Sequence, residues 1–250
     1  MTKSTIDAAQ SSAEIAAPAK EDANSLLSAF ISYTDLRIRS VQRSLEILAA
    51  TSEARSDNWL NMKDLMKGYQ ESDEGLIVWY VRPDGTYYTA DEGGMDKSLK
   101  DRIYFTDLMA GMSITGTLLI SKATGQRSAI IAVPIKVNGK VVGAVGVSLF
   151  LDKLSEQISA ALDLPPGITF FALSPNGLTT LNRKTDRHFL DPREQGSETL
   201  KRAATEMLAG SSGKTSYEFD NVTKHAMYRT SALTRWKFAI AFGEPPEEAH

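Results

Sequence analysis

The second half of the chain repeats the first half at three places, and the three matches fall in the same order. Pro-x-Gly turns are common, so one match carries little weight, but three in register favour duplication of a structural unit. The chain therefore predicts two related units. The matched pairs are Pro83–Gly85 with Pro175–Gly177, Asp101–Tyr104 with Asp186–Phe189, and Thr124–Gln126 with Ser212–Lys214.

A long helix is predicted before the first unit. From Asn24, apolar residues recur at steps of three and four (Leu27, Phe30, Ile31, Val41, Leu45, Leu48), which indicates about thirty helical residues. Because a mean helix has about 11–12 residues, this one is either half of a coiled coil or a spine for other elements. A second helix is predicted from Asn58 to Tyr69.

The rest of the first unit reads as strands, with turn residues between them and a short helix at Tyr104–Met109. Asp152 is predicted to cap a linking helix that runs to about Leu162, before the helix-breaking Pro165–Gly167. The second unit closes on an apolar strand, Lys237–Phe242. The predicted strands of the first unit are Leu76–Val81, Thr86–Thr89, Thr117–Ser121, Arg127–Ile135 and Lys140–Leu149.

The predicted fold class is α+β: a long N-terminal helix packed along two tandem modules, each with an antiparallel sheet of about five strands. We divide the chain into a flexible tail 1–23, a helical spine 24–70, a first module 71–151, a linking helix 152–166, a second module 167–243 and a tail 244–250.

Composition excludes several classes. The 250 residues include no cysteine, so disulfides, thiolate nucleophiles and zinc fingers are excluded. A net charge of -3 gives no reason to expect a nucleic acid partner. The longest uncharged apolar run, 141–151, is far short of the roughly 20 residues that span a bilayer. Residues 1–23 lack the apolar segment of a signal peptide, so we expect that any anchor or export signal was removed or never existed.

An enzyme is not expected. The three histidines, His188, His225 and His250, lie in no nucleophile or metal-ligand spacing, and we interpret His188 as a loop residue in a polar turn. No metal and no cofactor are predicted. We expect the three tryptophans to pack in the core, and stacking on a ligand is the second interpretation. They are Trp59, Trp79 and Trp236.

Several motifs of the first module resemble the double Cache (PAS-like) sensor domain. They are Ser98–Phe105, Leu108–Gly111, Ser121 with Thr124-Gly125, Ala132–Ile135 and Gly139–Gly143. The resemblance covers Asn24 to Phe242, and the second module matches mainly in strand order and turns. It implies an extracytoplasmic, periplasmic or extracellular ligand-binding region of a chemotaxis transducer or sensor histidine kinase. Such a region touches the membrane only through flanking helices that are missing here, and a secreted periplasmic Cache protein is the alternative.

The resemblance also implies a ligand site in the first, membrane-distal module, at an Arg-x-aromatic motif that corresponds to Arg102 and Tyr104. A guanidinium matches a carboxylate with two parallel hydrogen bonds, and a tyrosine hydroxyl can add a third. Residues two apart do not share a helical face, so this segment must be irregular if both line a pocket. The alternative is an ion pair between Asp101 and Arg102, with Tyr104 packed in the core.

Family members that bind amino acids carry a tyrosine and two aspartates where this chain has Leu119, Ser121 and Ser148. A desolvated ammonium without a carboxylate is costly, so the expected ligand is a small carboxylate, or another anionic or neutral molecule, rather than an α-amino acid. Arg102 is the expected anchor, Tyr104, Ser121 and Ser148 the hydroxyl donors, and Lys97 a second cation. The alternative is a structural module whose N-terminal helix forms a homodimer without a small ligand.

Overall fold

A computed structural model describes residues 20–56, 58–165 and 167–243. The predicted C-terminal tail 244–250 and residues 1–19 of the predicted N-terminal tail lie outside this range. The helices are α1 (Lys20–Ala49), α2 (Ser52–Arg55), α3 (Trp59–Glu71), α4 (Phe105–Met109), α5 (Leu151–Leu162) and α6 (Glu198–Ala209). A short 3-10 helix spans Thr185–Arg187.

Two antiparallel sheets follow α3. The distal sheet contains β1 (Leu76–Val81), β2 (Thr86–Thr89), β3 (Gly93–Ser98), β4 (Ile114–Ile120), β5 (Arg127–Val137) and β6 (Lys140–Phe150), in the order β3-β2-β1-β6-β5-β4. The sheet of the second module, called the proximal sheet below, contains β7 (Ile168–Leu173), β8 (Thr179–Asn182), β9 (Ser212–Phe219), β10 (Val222–Thr230) and β11 (Lys237–Gly243), in the order β8-β7-β11-β10-β9. The second order repeats the first without a counterpart of β3.

Helix α1 joins the two sheets. It packs against β5 and β6 of the distal sheet and against β10 and β11 of the proximal sheet. Its buried apolar face belongs to one core cluster that includes residues of both sheets. Phe30 lies between Phe170 and Phe238, with ring centroids 4.9 and 4.8 Å away in edge-to-face geometry, which aromatic pairs favour.

The two faces of each sheet have different roles. Because strand side chains alternate, Val78 and Tyr80 of β1 join the core under α1, whereas Trp79 and Val81 join a separate cluster on the opposite face. The same division holds for β7, where Phe170 faces the core under α1 and Phe171 packs on the other side. Each module therefore has a second face that α1 leaves free.

The predicted fold class is confirmed, with differences in detail. Helix α1 begins at Lys20, four residues before the predicted start. Strand β3 was missed because its sequence, Gly93–Ser98, has no apolar alternation and its pattern is mostly exposed. The prediction that Asp152 caps α5 is wrong: Phe150 holds the N-cap position without a side-chain hydrogen bond, and Asp152 lies in the first turn.

The packing of Phe30 predicts a large stability loss on truncation. Phe30 is fully buried, so Phe30→Ala should lower the free energy of unfolding by about 3–5 kcal/mol, measured by urea denaturation. Leu60 on α3 is 73% exposed, and the control Leu60→Ala should change the free energy of unfolding by no more than about 0.5 kcal/mol. Equal effects of the two substitutions would contradict the spine role of α1.

Candidate ligand site

A small cavity lies on the free face of the distal sheet, under the segment that connects β3 to α4. Its volume is about 20 Å³, which is room for about one water molecule. The lining residues come from five strands, the connecting segment and the loop after β4: Ile77, Trp79, Tyr87, Thr89, Leu99, Arg102, Tyr104, Leu119, Ser121, Lys122, Ala123, Ile130 and Ser148.

Strand register brings the floor of this cavity together. Ser148 of β6 is directly opposite Ile77 of β1 and Ile130 of β5, so the three side chains form a row across the sheet. Trp79 is opposite Gly146, and a Cβ at that position would collide with the Trp79 ring. Gly146 therefore lets the indole lie flat across β6.

Arg102 and Tyr104 both line the cavity because the chain between β3 and α4 is a series of turns rather than a helix. The Arg102 backbone N–H donates to the carbonyl of Leu99 at 2.9 Å, and its Nη2 donates to the carbonyl of Ile120 at 2.8 Å. This is the irregular geometry that the spacing of the motif requires.

Two buried polar atoms at the cavity have no partner among the described residues: Nε of Arg102 and the hydroxyl of Tyr87. Buried polar groups are nearly always hydrogen-bonded, so each such atom needs an explanation. Burial raises the pKa of the Tyr87 hydroxyl, which keeps it protonated and able to donate. The site thus presents two unused donors.

Tyr104 fills much of the remaining space. It is buried and its ring stacks on Trp79 with centroids 6.1 Å apart. Burial also raises the pKa of Tyr104 well above its usual range, so its hydroxyl is neutral. Tyr104 thus packs in the core, as the alternative expectation has it, and it also lines the cavity, as the ligand-contact expectation requires.

The charges around the cavity are positive. No aspartate or glutamate lines it, while Arg102 and Lys122 do. The alternative of an Asp101–Arg102 ion pair is not what the structure has, because Asp101 pairs with Lys122 at 2.5 Å. That hydrogen bond lowers the pKa of Asp101.

Five of the six predicted site residues line the cavity, and Lys97 does not. Lys97 lies on the exposed strand β3 and donates from Nζ to the carbonyl of Lys122 at 3.1 Å. Lys122 lines the cavity where Lys97 was expected, and the role of Lys97 as a second cation stays a prediction. Sequence reasoning also missed Tyr87, although the alternating burial of β2 shows the signal: Tyr87 and Thr89 share one face.

His188 lies in the turn that follows the 3-10 helix, and its polar neighbours in sequence do not reveal its burial. It is fully buried, with Nε2 3.0 Å from Ser155 Oγ and Nδ1 2.7 Å from Asp152 Oδ1. The arrangement is like a Ser-His-Asp triad, but Ser155 is 1% exposed and a nucleophile needs access to its substrate. Ser155 Oγ also accepts a hydrogen bond from the backbone N–H of Asn182. The side chains of Asp152, Ser155 and His188 therefore have a structural role, because they attach α5 to β8 and to the segment that follows it.

Within the described residues, no group of three histidine, cysteine, aspartate or glutamate side chains could hold a metal ion. In the same part of the chain, no helix is long and apolar enough to cross a membrane.

Two PAS-like modules on one helical spine, with a cavity on the free face of the distal sheet, define a tandem sensor-domain class. The dCache_1 model of the Cache domain family matches residues 11–248, and the chain belongs to this family. Membership places it among extracytoplasmic ligand-binding sensor domains. A comparison with curated proteins found no match.

Solved structures share the fold. An extracellular ligand binding receptor from Desulfohalobium retbaense superposes with a TM-score of 0.74 at 14% identity, over 90% of this chain and 41% of that one. The extracellular domain attributed to histidine kinase rpHK1S-Z16 superposes with a TM-score of 0.73 at 18% identity, over 90% of this chain and 94% of that one. The ligand-binding domain of the Campylobacter jejuni chemoreceptor Tlp3, in complex with 4-methylisoleucine, superposes with a TM-score of 0.68 at 14% identity, over 92% of this chain and 94% of that one.

The buried His188 predicts a pH-dependent stability. Burial lowers the pKa of His188, partly offset by Asp152, whereas in the unfolded chain a histidine titrates near about 6.5. Protonation therefore favours the unfolded state, and stability present above about pH 6.5 is lost as the pH falls through the lower folded pKa. Urea midpoints between about pH 7 and pH 5 should fall in the wild type.

In His188→Gln, the urea midpoint should change less between the two pH values than in the wild type. In His225→Gln, a substitution at an exposed strand position, the midpoint should change with pH as it does in the wild type. Identical slopes in the wild type and His188→Gln would show that the buried histidine does not cause the dependence.

Proposed function

We propose that the distal cavity binds a small carboxylate, with Arg102 as its anchor. One observation carries the proposal: Nε of Arg102 and the hydroxyl of Tyr87 are buried donors without a partner among the described residues, and both residues line one cavity. A carboxylate oxygen would satisfy them, since charge-assisted hydrogen bonds to guanidinium are strong. Ser121 and Ser148 line the same cavity and supply further hydroxyl donors.

The charges favour a carboxylate over an α-amino acid. The Tlp3 domain was solved with an amino acid, whose ammonium group needs a negative partner when it is desolvated. Here the lining residues include Arg102 and Lys122 but no carboxylate, and Leu119, Ser121 and Ser148 are uncharged. An ammonium placed in this cavity would have no free carboxylate partner and would lie beside the Arg102 guanidinium, since Asp101 already pairs with Lys122; such an unpaired charge is costly.

The small volume of the cavity links binding to movement. At about 20 Å³, it admits no organic ligand until the Trp79–Tyr104 stack or the turns at Leu99–Arg102 shift. A ligand that binds only the opened state stabilises that state by its differential affinity. In our proposal, the turns beside β4 move with the ligand, and the distal sheet passes the change to α1, which packs on β5 and β6.

We also propose that this chain works as the sensory region of a receptor and forms a homodimer through α1. Leu36 and Ile47 are 68% and 72% exposed, and a spacing of 11 residues places them on one side of the helix. A pair of α1 helices would cover them and give a ligand-induced shift a route towards the membrane. A soluble periplasmic binding protein of the same family is the second candidate.

The carboxylate proposal is tested by calorimetric titration with acetate, pyruvate and propionate, beside alanine and serine. At least one carboxylate should bind, and Arg102→Ala should weaken it about 10- to 100-fold, because a charge-assisted hydrogen bond contributes about 1.5–3 kcal/mol. Arg102→Lys should be intermediate, since it keeps the charge but loses the fork.

The matched control is Arg202→Ala, at an exposed arginine of α6 whose ion pair with Glu206 is 3.7 Å long. It should bind like the wild type. Binding of alanine or serine in preference to the carboxylates would contradict the charge argument, and carboxylate binding unchanged in Arg102→Ala would remove Arg102 as the anchor.

The homodimer proposal is tested by sedimentation velocity. Leu36→Glu combined with Ile47→Glu should shift the protein to monomer, because it places charges in an apolar contact between helices. Leu60→Glu, at a position of α3 that is 73% exposed, should leave the association unchanged. A wild-type protein that is monomeric at all concentrations would exclude this dimer.

A further inference from the structure

The proximal module contains a second and larger cavity, on the face of its sheet that α1 leaves free. Its volume is about 290 Å³, close to the lower end of small-molecule sites at about 300 Å³. The wall is apolar and aromatic, with Phe171, Leu200, Tyr217 and Phe219 among its residues, and Arg187 and Lys224 also line it.

The internal repeat relates this cavity to the distal one. Trp79 is six residues before the turn glycine Gly85, and Phe171 is six residues before Gly177, so the two aromatics hold equivalent positions on β1 and β7. Each cavity also contains the arginine of an Asp-Arg pair, Arg102 in one and Arg187 in the other.

The two cavities differ in how they are filled. In the distal module Tyr104 turns inward and stacks on Trp79. Phe189, two residues after Arg187, packs instead against the core cluster under α1, with a left-handed backbone at φ 67°. The Phe171 ring is smaller than that of Trp79, and Phe189 does not turn inward as Tyr104 does, so the proximal space stays open.

The charges at the proximal cavity are positive. Lys184 and Asp220 also line it and pair with each other at 3.6 Å. Among the described residues, neither Arg187 nor Lys224 makes an ion pair or a side-chain hydrogen bond; the Arg187 guanidinium lies over the Phe219 ring, 4.8 Å from its centroid. Two cations therefore remain for an anion.

Tyr217 adds a neutral donor. It is 6% exposed, its burial raises the pKa of its hydroxyl, and the hydroxyl has no hydrogen-bond partner among the described residues. Its ring lies edge-to-face with Phe171, 6.4 Å between centroids. The cavity thus combines an aromatic wall with cationic and hydroxyl donors.

We propose that the proximal cavity is a second ligand site, which takes a carboxylate with an apolar or aromatic group. The carboxylate is held by Arg187 and Lys224, which are unpaired within the described residues, and the apolar group packs on Phe171, Leu200 and Phe219. The proposal is independent of the distal site, because the two cavities share no residue. It also ties occupancy to the linking helix, since Arg187 precedes His188, which is bonded to Asp152 of α5.

The test is a calorimetric titration of the whole chain with 3-phenylpropionate, beside 3-phenylpropan-1-ol, propionate and phenylalanine. The first should bind, and the alcohol, which lacks the carboxylate, and propionate, which lacks the ring, should bind at least about tenfold more weakly when all are compared in Arg102→Ala, where the distal cavity has lost its anchor. Arg187→Gln and Lys224→Gln should each weaken 3-phenylpropionate by about tenfold or more, with circular dichroism to verify folding. Two variants are used because Arg187 adjoins the buried His188.

The controls separate the two sites. Lys214→Gln removes an exposed lysine of β9 outside the cavity, and Arg102→Ala alters the distal cavity; neither should change the binding of 3-phenylpropionate. The proposal is overturned if 3-phenylpropionate does not bind, if both Arg187→Gln and Lys224→Gln bind it like the wild type, or if Arg102→Ala alone abolishes binding. The first two results leave the proposal of carboxylate binding at Arg102 untouched, whereas the third would place 3-phenylpropionate in the distal cavity.

Discussion

The packing of α1 against both sheets is the contact on which the rest of the structure depends. A single helix face supplies core side chains to two modules, so the modules share one core instead of meeting at a small polar interface. Phe30, between two proximal phenylalanines, is the clearest example. Because α1 covers one face of each sheet, the cavities lie on the opposite faces. A shift of either sheet would displace the side chains that contact α1.

The two cavities show how one scaffold supports different sites. Both lie on the free face of a sheet and both contain an arginine that follows an aspartate, yet the distal space is filled by the stack of Trp79 on Tyr104, whereas the proximal space is open. A filled site with unpaired buried donors must rearrange to bind, and an open site need not. Under the two binding proposals, the distal module is the one that must change conformation to admit its ligand.

Local patterns were sufficient for most of the fold. Apolar spacing predicted α1, turn residues predicted the hairpin of β1 and β2, and the internal repeat aligned Arg187 with Arg102. Strand β3 could not be predicted, because Gly93 and Gly94 weaken strand propensity. The segment forms a strand through its hydrogen-bonded pairing with β2, which local sequence does not reveal. The burial of His188 depends on Asp152 and Ser155, more than 30 residues away in sequence, which no local pattern reveals. Five of the six predicted site residues line one cavity, but its closure by packed rings depends on tertiary contacts.

The most direct test of the central claim is the Arg102 Nε–H signal in a 15N-resolved NMR spectrum, because that donor is buried and has no partner among the described residues. We predict that a bound small carboxylate moves this resonance downfield and slows its exchange with water, while alanine leaves it unchanged. A carboxylate that binds the distal module without altering the Arg102 Nε–H resonance would contradict the account.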